Sequence, residues 1–152
     1  MIEFVKQKKY DQVEILVKPH PFTKVKSIKN KLPDWPNKFN IVQDKYSDLL
    51  NRADLVIGNS SSTCMEALSH AVPVIVIGNQ NGITQNPIPR SISKNMWSLC
   101  YTIDELYDSV DKLYFRVTES DTNLYREIAQ DICRNYFEPV TKESVNKYLM
   151  LN

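Results

Sequence analysis

Two short segments carry side chains whose types and spacing could do chemistry. The first is Gly58-Asn59-Ser60-Ser61-Ser62-Thr63, which stands between an apolar run, Leu55–Ile57, and a stretch of helical spacing, Ser62–His70. The first turn of a helix carries backbone N–H groups without intrahelical partners and the positive end of the helix dipole. Small hydroxyl side chains add donors there without blocking close approach, so a phosphate or pyrophosphate suits the place. Glu66 falls one turn further on, where a carboxylate can accept hydrogen bonds from the two hydroxyls of a ribose. The plainer alternative is that Ser60 or Ser61 only caps the helix and Glu66 is a solvated acid.

The second segment is Lys18-Pro19-His20-Pro21, which closes the apolar run Val13–Val17. Its two prolines hold the backbone extended and present His20 at a fixed angle. An imidazole can hydrogen-bond a phosphate, or neutralise charge when protonated; the alternative is a histidine bonded within its own loop. His70 is read as a helix C-terminal residue set against the dipole. Asp44 and Asp54 are read as cap or turn residues. Arg90, in the Asn- and Pro-rich loop Asn79–Arg90, is either a plain surface arginine or a further contact to the same anion. The chain contains no GxGxxG, no GxxxxGK[ST] and no GxSxG, which excludes the dinucleotide fingerprint, the P-loop and the hydrolase elbow.

These segments need elements to hold them. Leu55–Ile57 and Val74–Ile77 are continuous apolar runs that each stop at a glycine, Gly58 and Gly78, as strands covered on both faces do. Val13–Val17 and Asn40–Val42 are two further strands, and the prolines of Leu32–Asn37 exclude a helix there. Helical spacing marks Tyr46–Ala53, Ser62–His70, Leu124–Phe137 and Lys142–Leu151. It is clearest in Ile103–Phe115, where Thr102 and Glu105 make a capping box. Strand and helix alternating in this order predict a Rossmann-like, doubly wound parallel α/β sheet with C-terminal helices, in one domain over 1–152. In such sheets ligands bind outside the carboxyl ends of the strands, where both polar segments fall.

Composition bounds the rest. The chain has 152 residues, with 42% hydrophobic and 24% charged side chains and a formal net charge of +1. That balance gives no reason to expect a nucleic acid. The lysines of the first third (Lys6 to Lys31) form a solvated face or a weak contact with an anionic surface. No apolar run approaches the ~20 residues of a membrane span, and Met1–Tyr10 is too polar for a signal peptide. Three scattered cysteines and two histidines point to no disulfide framework and no metal site. The expected compartment is the cytoplasm, with at most peripheral contact at the inner face of the membrane.

The stretch Asp54–Gly78, DLVIGNSSSTCMEALSHAVPVIVIG, resembles the donor-binding core of GT-B glycosyltransferases. There a strand, a small-residue loop, a helix bearing a glutamate and a strand reading PVI follow in this order. The upstream ILVKPHP is similar to the His-Pro motif of bacterial sialyltransferase-like, Kdo-transferase-like and CDP-glycerol-transferase-like enzymes of capsule and surface-polysaccharide synthesis. The resemblance covers Val13 to Ile77 and implies a CMP-, CDP- or UDP-linked sugar donor, with no metal and no other cofactor. It assigns nucleotide-sugar contacts to Lys18, His20, Pro21, Asn59, Ser60, Ser61, Ser62, Thr63 and Glu66, with His20 the candidate for phosphate stabilisation. Relatives often carry glycine where this chain has Ala71. A complete GT-B enzyme also has a first, acceptor-binding domain, which is expected to be absent here. Transfer would then need a complementing domain or partner chain. Non-hydrolysing UDP-sugar 2-epimerases share the arrangement, so half of such an enzyme is an alternative. A non-catalytic interaction module using the aromatics of Tyr101–Tyr125 is another.

Overall fold

The computed structural model describes residues 8–31, 37–137 and 139–150. The expected turn over Leu32–Asn37 lies outside them except for Asn37, as do Met1–Gln7 and Leu151. The chain divides into two compact units, Met1–Arg52 and Ala53–Asn152.

In the first unit β1 (Ile15–Val17) and β2 (Phe39–Ile41) pair in parallel, with Leu16 opposite Asn40. A parallel pair needs a crossover, and α1 (Val25–Lys31) lies within it. This short, lysine-rich helix has no apolar stripe that sequence spacing would reveal. The unit ends in α2 (Tyr46–Leu50), whose Leu49 and Leu50 are buried, as are Tyr10 and Phe39.

The second unit is built on three parallel strands in the order β3-β4-β5: β3 (Val56–Gly58), β4 (Val74–Ile77) and β5 (Trp97–Cys100). The central strand meets the expectation for its apolar run, since Val74, Ile75 and Val76 have no exposed surface. β5 was not legible: Ser98 and Cys100 dilute its apolar character, and it follows a polar loop. α3 (Thr63–Ser69) joins β3 to β4 and packs on both strands and on α5 (Glu119–Tyr136). Its Ala67 and Leu68 are fully buried, so truncating Leu68 to alanine would cost about 2–5 kcal/mol. α4 (Ile103–Val110) begins at the expected capping box: Thr102 Oγ1 accepts from Glu105 N, and the Glu105 carboxylate accepts from Thr102 N. α6 (Lys142–Leu149) closes the unit.

The expected single helix Ile103–Phe115 instead changes to a π turn over Asp111–Phe115. Arg116 N donates to Asp111 O at 2.9 Å, five residues back, and its guanidinium donates to Asp111 Oδ2 at 2.8 Å. The wider turn leaves Leu113 fully buried while Phe115 stays 40% exposed. α5 starts five residues before the expected Leu124, because Thr118 and Asp121 form a second capping box.

The chain is thus mixed α/β with parallel strands, in two small sheets of two and three strands among the described residues. No helix among them is long and apolar enough to cross a membrane.

Candidate functional site

The serine loop leaves β3 at its carboxyl end and enters α3, a helix of seven residues whose N-cap, Ser62, is already in helical conformation at φ −59° and ψ −22°. The first-turn amides expected to be open are satisfied locally. Thr63 N donates to Ser61 Oγ at 3.3 Å, Cys64 N to Ser61 O at 3.0 Å, and Met65 N to Ser62 O at 3.0 Å. Glu66 N also reaches Ser62 O, at 3.3 Å. The tight turn through Ser61 and Ser62 brings these carbonyls back over the helix start, so the open donors move one step upstream. The amides of Ser61 and Ser62 have no partner among the described residues.

The side chains divide in the same way. Asn59 is turned inward on its own loop, its Oδ1 accepting from Ser60 N at 2.7 Å. Ser61 is half-buried, and its Oγ accepts from the Thr63 hydroxyl at 2.8 Å, which leaves its own O–H to donate. That is the capping alternative realised at one of the three serines. Ser60 and Ser62 are exposed, and neither hydroxyl has a partner among the described residues. Glu66 is half-buried with an equally unpartnered carboxylate. Two N–H groups, three hydroxyl protons and a carboxylate one turn along are what this loop offers a ligand.

The loop is held from below and behind. Cys64 is 1% exposed, and its thiol donates to Asn59 O at 3.4 Å. Burial pushes that thiol's pKa up, against the lowering effect of hydrogen bonds from Ser61 and Cys64 backbone, so it stays a protonated donor. At the other end, Val72 N donates to Ala67 O and Ala71 N to Leu68 O, both at 3.1 Å. Together these make a Schellman motif with Ala71 at the left-handed position, φ 60°. His70 serves the helix end as expected: its Nδ1 donates to Glu66 O at 2.9 Å, beside Ser69 Oγ at 2.7 Å. At Gly78, just past β4, a Cβ would lie 2.5 Å from Tyr101 Cε1, so any side chain there would have to displace that ring.

Lys18, His20 and Pro21 belong to the first unit, just past β1. His20 opens a turn closed by Thr23 N donating to its carbonyl at 2.8 Å, with Pro21 at the position whose fixed φ suits it. The His20 Nδ1 accepts from Phe22 N at 3.3 Å. That assigns the proton of the neutral ring to Nε2, a donor of the kind a phosphate oxygen takes. The alternative of a loop-bonded histidine therefore holds for one ring nitrogen and not for the other. Lys18 and Pro21 are exposed, and so is Arg90, which has no ionic partner among the described residues.

A groove of about 430 Å³ lies elsewhere in the second unit. It lies between Asn95 in the loop before β5, Asp111, Lys112 and Arg116 of the π turn and its end, and Asp121 and Tyr125 of α5. From the sequence Tyr125 was counted among the exposed aromatics of Tyr101–Tyr125, but it is only 5% exposed; the other lining residues were not singled out, because the π turn that gathers them leaves no spacing signature. No known protein-family model matches the chain, and no curated protein or solved structure matches it.

Proposed function

We propose that Ala53–Asn152 is the donor-phosphate-binding part of a glycosyltransferase of GT-B type, with the Rossmann-like character that this architecture implies. The observation that carries the reading is the pair of open amides, Ser61 and Ser62, at the carboxyl end of β3, flanked by the free hydroxyls of Ser60 and Ser62. Outward-facing N–H groups of consecutive residues form an anion-binding concavity, and the carboxyl edge of parallel strands is where α/β proteins bind ligands. Glu66 would accept from ribose hydroxyls one turn along. The resemblance of Asp54–Gly78 to the GT-B donor core turns a general anion site into a nucleotide-sugar site. The sugar would leave a nucleoside diphosphate or monophosphate whose charge the fixed donors stabilise. Lys18 and His20 carry the same role by resemblance, and transfer to a polysaccharide acceptor would involve a further domain or chain in the cytoplasm.

Titration calorimetry of the whole chain against CMP, CDP, UDP and their sugars tests this. Binding of one of them is expected, and loss of it in Ser62→Leu, whose side chain has no structural bond to lose. Glu66→Gln should weaken nucleosides and spare inorganic pyrophosphate. A folded chain that binds none of these nucleotides at millimolar concentration sinks the proposal.

A further inference from the structure

Tyr101 stands just past the carboxyl end of β5, on the same rim of the three-stranded sheet as the serine loop. The parallel ladder runs on beyond β4, with Gly78 N donating to Cys100 O at 2.7 Å, so successive residues there still alternate between the two faces. Gly58 and Val76 are opposite one another and share a face; Gly78, two residues past Val76, shares it as well. It is the face that α3 covers, because a Cβ at Gly58 would meet Cys64 Sγ at 3.4 Å. A Cβ at Gly78 would meet three atoms of the Tyr101 ring, at 2.5, 2.7 and 3.1 Å. The ring therefore lies over the end of β4 on the α3 side. That is one strand spacing, ~4.8 Å, from the point where the serine loop leaves β3.

The arrangement is fixed and open at once. Gly78 does not have a positive φ, so its backbone conformation does not call for glycine; the missing side chain leaves room for the ring. The backbone of Tyr101 is tied to the start of α4, its N–H donating to Glu105 Oε2 at 2.6 Å. Yet packing on Gly78 does not bury the residue, which keeps 41% of its surface exposed. A flat apolar surface on a fixed backbone, beside the open amides of Ser61 and Ser62, offers a platform to whatever is attached to an anion held there.

Distance decides which group that is. One strand spacing from a phosphate reaches the groups bonded directly to it and no further. In a nucleotide sugar these are the ribose and the sugar to be transferred, and the base is a ribose further away. Glu66 takes the ribose in the reading above, which leaves the sugar for Tyr101. One face of a pyranose is made of C–H groups, which suit the face of an aromatic ring, while its hydroxyls point outward from the rim.

We propose that Tyr101 is the platform for the donor's sugar, an inference that rests on the serine loop holding the donor phosphate. The test is titration calorimetry of the whole chain with CMP, CDP and UDP, and with CMP-N-acetylneuraminate, CDP-glucose, UDP-glucose and UDP-N-acetylglucosamine. For the nucleotide that binds, Tyr101→Leu should weaken its sugar-linked form roughly three- to tenfold, the loss of one apolar sugar face from contact. The same variant should leave the unlinked nucleotide within twofold of the parent, and Tyr101→Phe, which keeps the ring, should bind both as the parent does. In the parent itself, the ring protons of Tyr101 should give nuclear Overhauser contacts to the sugar. A loss equal for nucleotide and nucleotide sugar, no loss in either, or no contact between ring and sugar would overturn the inference and leave the donor-phosphate reading standing. A folded parent that binds no nucleotide overturns both.

Discussion

Ala71 offers the sharpest check on the physical reasoning behind the serine loop. It holds φ 60°, a region where an L side chain costs about 1–2 kcal/mol because Cβ crowds the following carbonyl. Replacing it with glycine removes that cost and retains both Schellman hydrogen bonds, which use backbone only. Against the gain stands the greater freedom of glycine in the unfolded chain, about 0.5–1 kcal/mol, and the loss of one half-buried methyl. Ala71→Gly should therefore stabilise the second unit by roughly 0.5 kcal/mol, or about 1–2 °C in Tm at this size. Ala71→Val, β-branched at the same φ, should destabilise by more than the glycine stabilises. Both are read by circular-dichroism melts at fixed pH. A glycine variant that melts below the parent, or a valine variant as stable as it, would refute the assigned backbone and with it the way α3 is anchored.

The capping boxes and thiols give further checks. Thr118→Ala should cost about 1 kcal/mol, because α5 loses the side-chain acceptor for Asp121 N. Asp121 itself has its pKa held down by hydrogen bonds from the Thr118 side chain and backbone. A depressed folded pKa means its contribution is present above the usual carboxylate range and lost as pH falls through the folded value. Acid melts of Asp121→Asn should accordingly show a weaker fall in Tm below about pH 4 than the parent. In the native chain Cys133 should react rapidly with a thiol reagent, being exposed. Cys64 and Cys100, buried and with thiol pKa values raised by that burial, should react only on unfolding; rapid loss of all three thiols would contradict the core described above.

What was legible in the sequence follows from what each element asks of it. β4 could be read to the residue because a strand buried on both faces needs an unbroken apolar run, and Pro73 and Gly78 bound it. The Thr102–Glu105 box could be read because a cap is a local bargain between two nearby side chains. α1 and β5 escaped because their stability comes from what they pack on or pair with, not from their own residues: Ser98 and Cys100 sit in β5 only because Ile75 and Ile77 offer a ladder to join. The serine loop was located correctly as a strand-to-helix junction. Which of its amides stay open was not legible, since that depends on the turn at Ser61 folding two carbonyls over the helix start. The groove beside the π turn lay further still from the sequence, because periodicity does not encode that turn.

The division of labour around α3 decides how far its chemistry can be tested without disturbing the fold. Below the loop, Cys64, Ala67 and Leu68 are buried at 1%, 0% and 0% exposure, and a change there alters stability and loop geometry together. Above it, Ser60 and Ser62 are exposed and have no side-chain bond within the chain, so nothing in the fold requires a hydroxyl at either position. Ser61 stands between these cases, because its Oγ holds Thr63. If the loop only starts a helix, Ser60 and Ser62 are interchangeable with any small exposed residue, and Ser60→Ala with Ser62→Ala should leave both stability and nucleotide affinity unmoved. If it binds a phosphate, the same pair should keep its Tm and bind more weakly, since the two hydroxyl donors are lost while the amides stay. Stability unchanged with binding weakened is the one combination that a purely structural role for these serines does not produce.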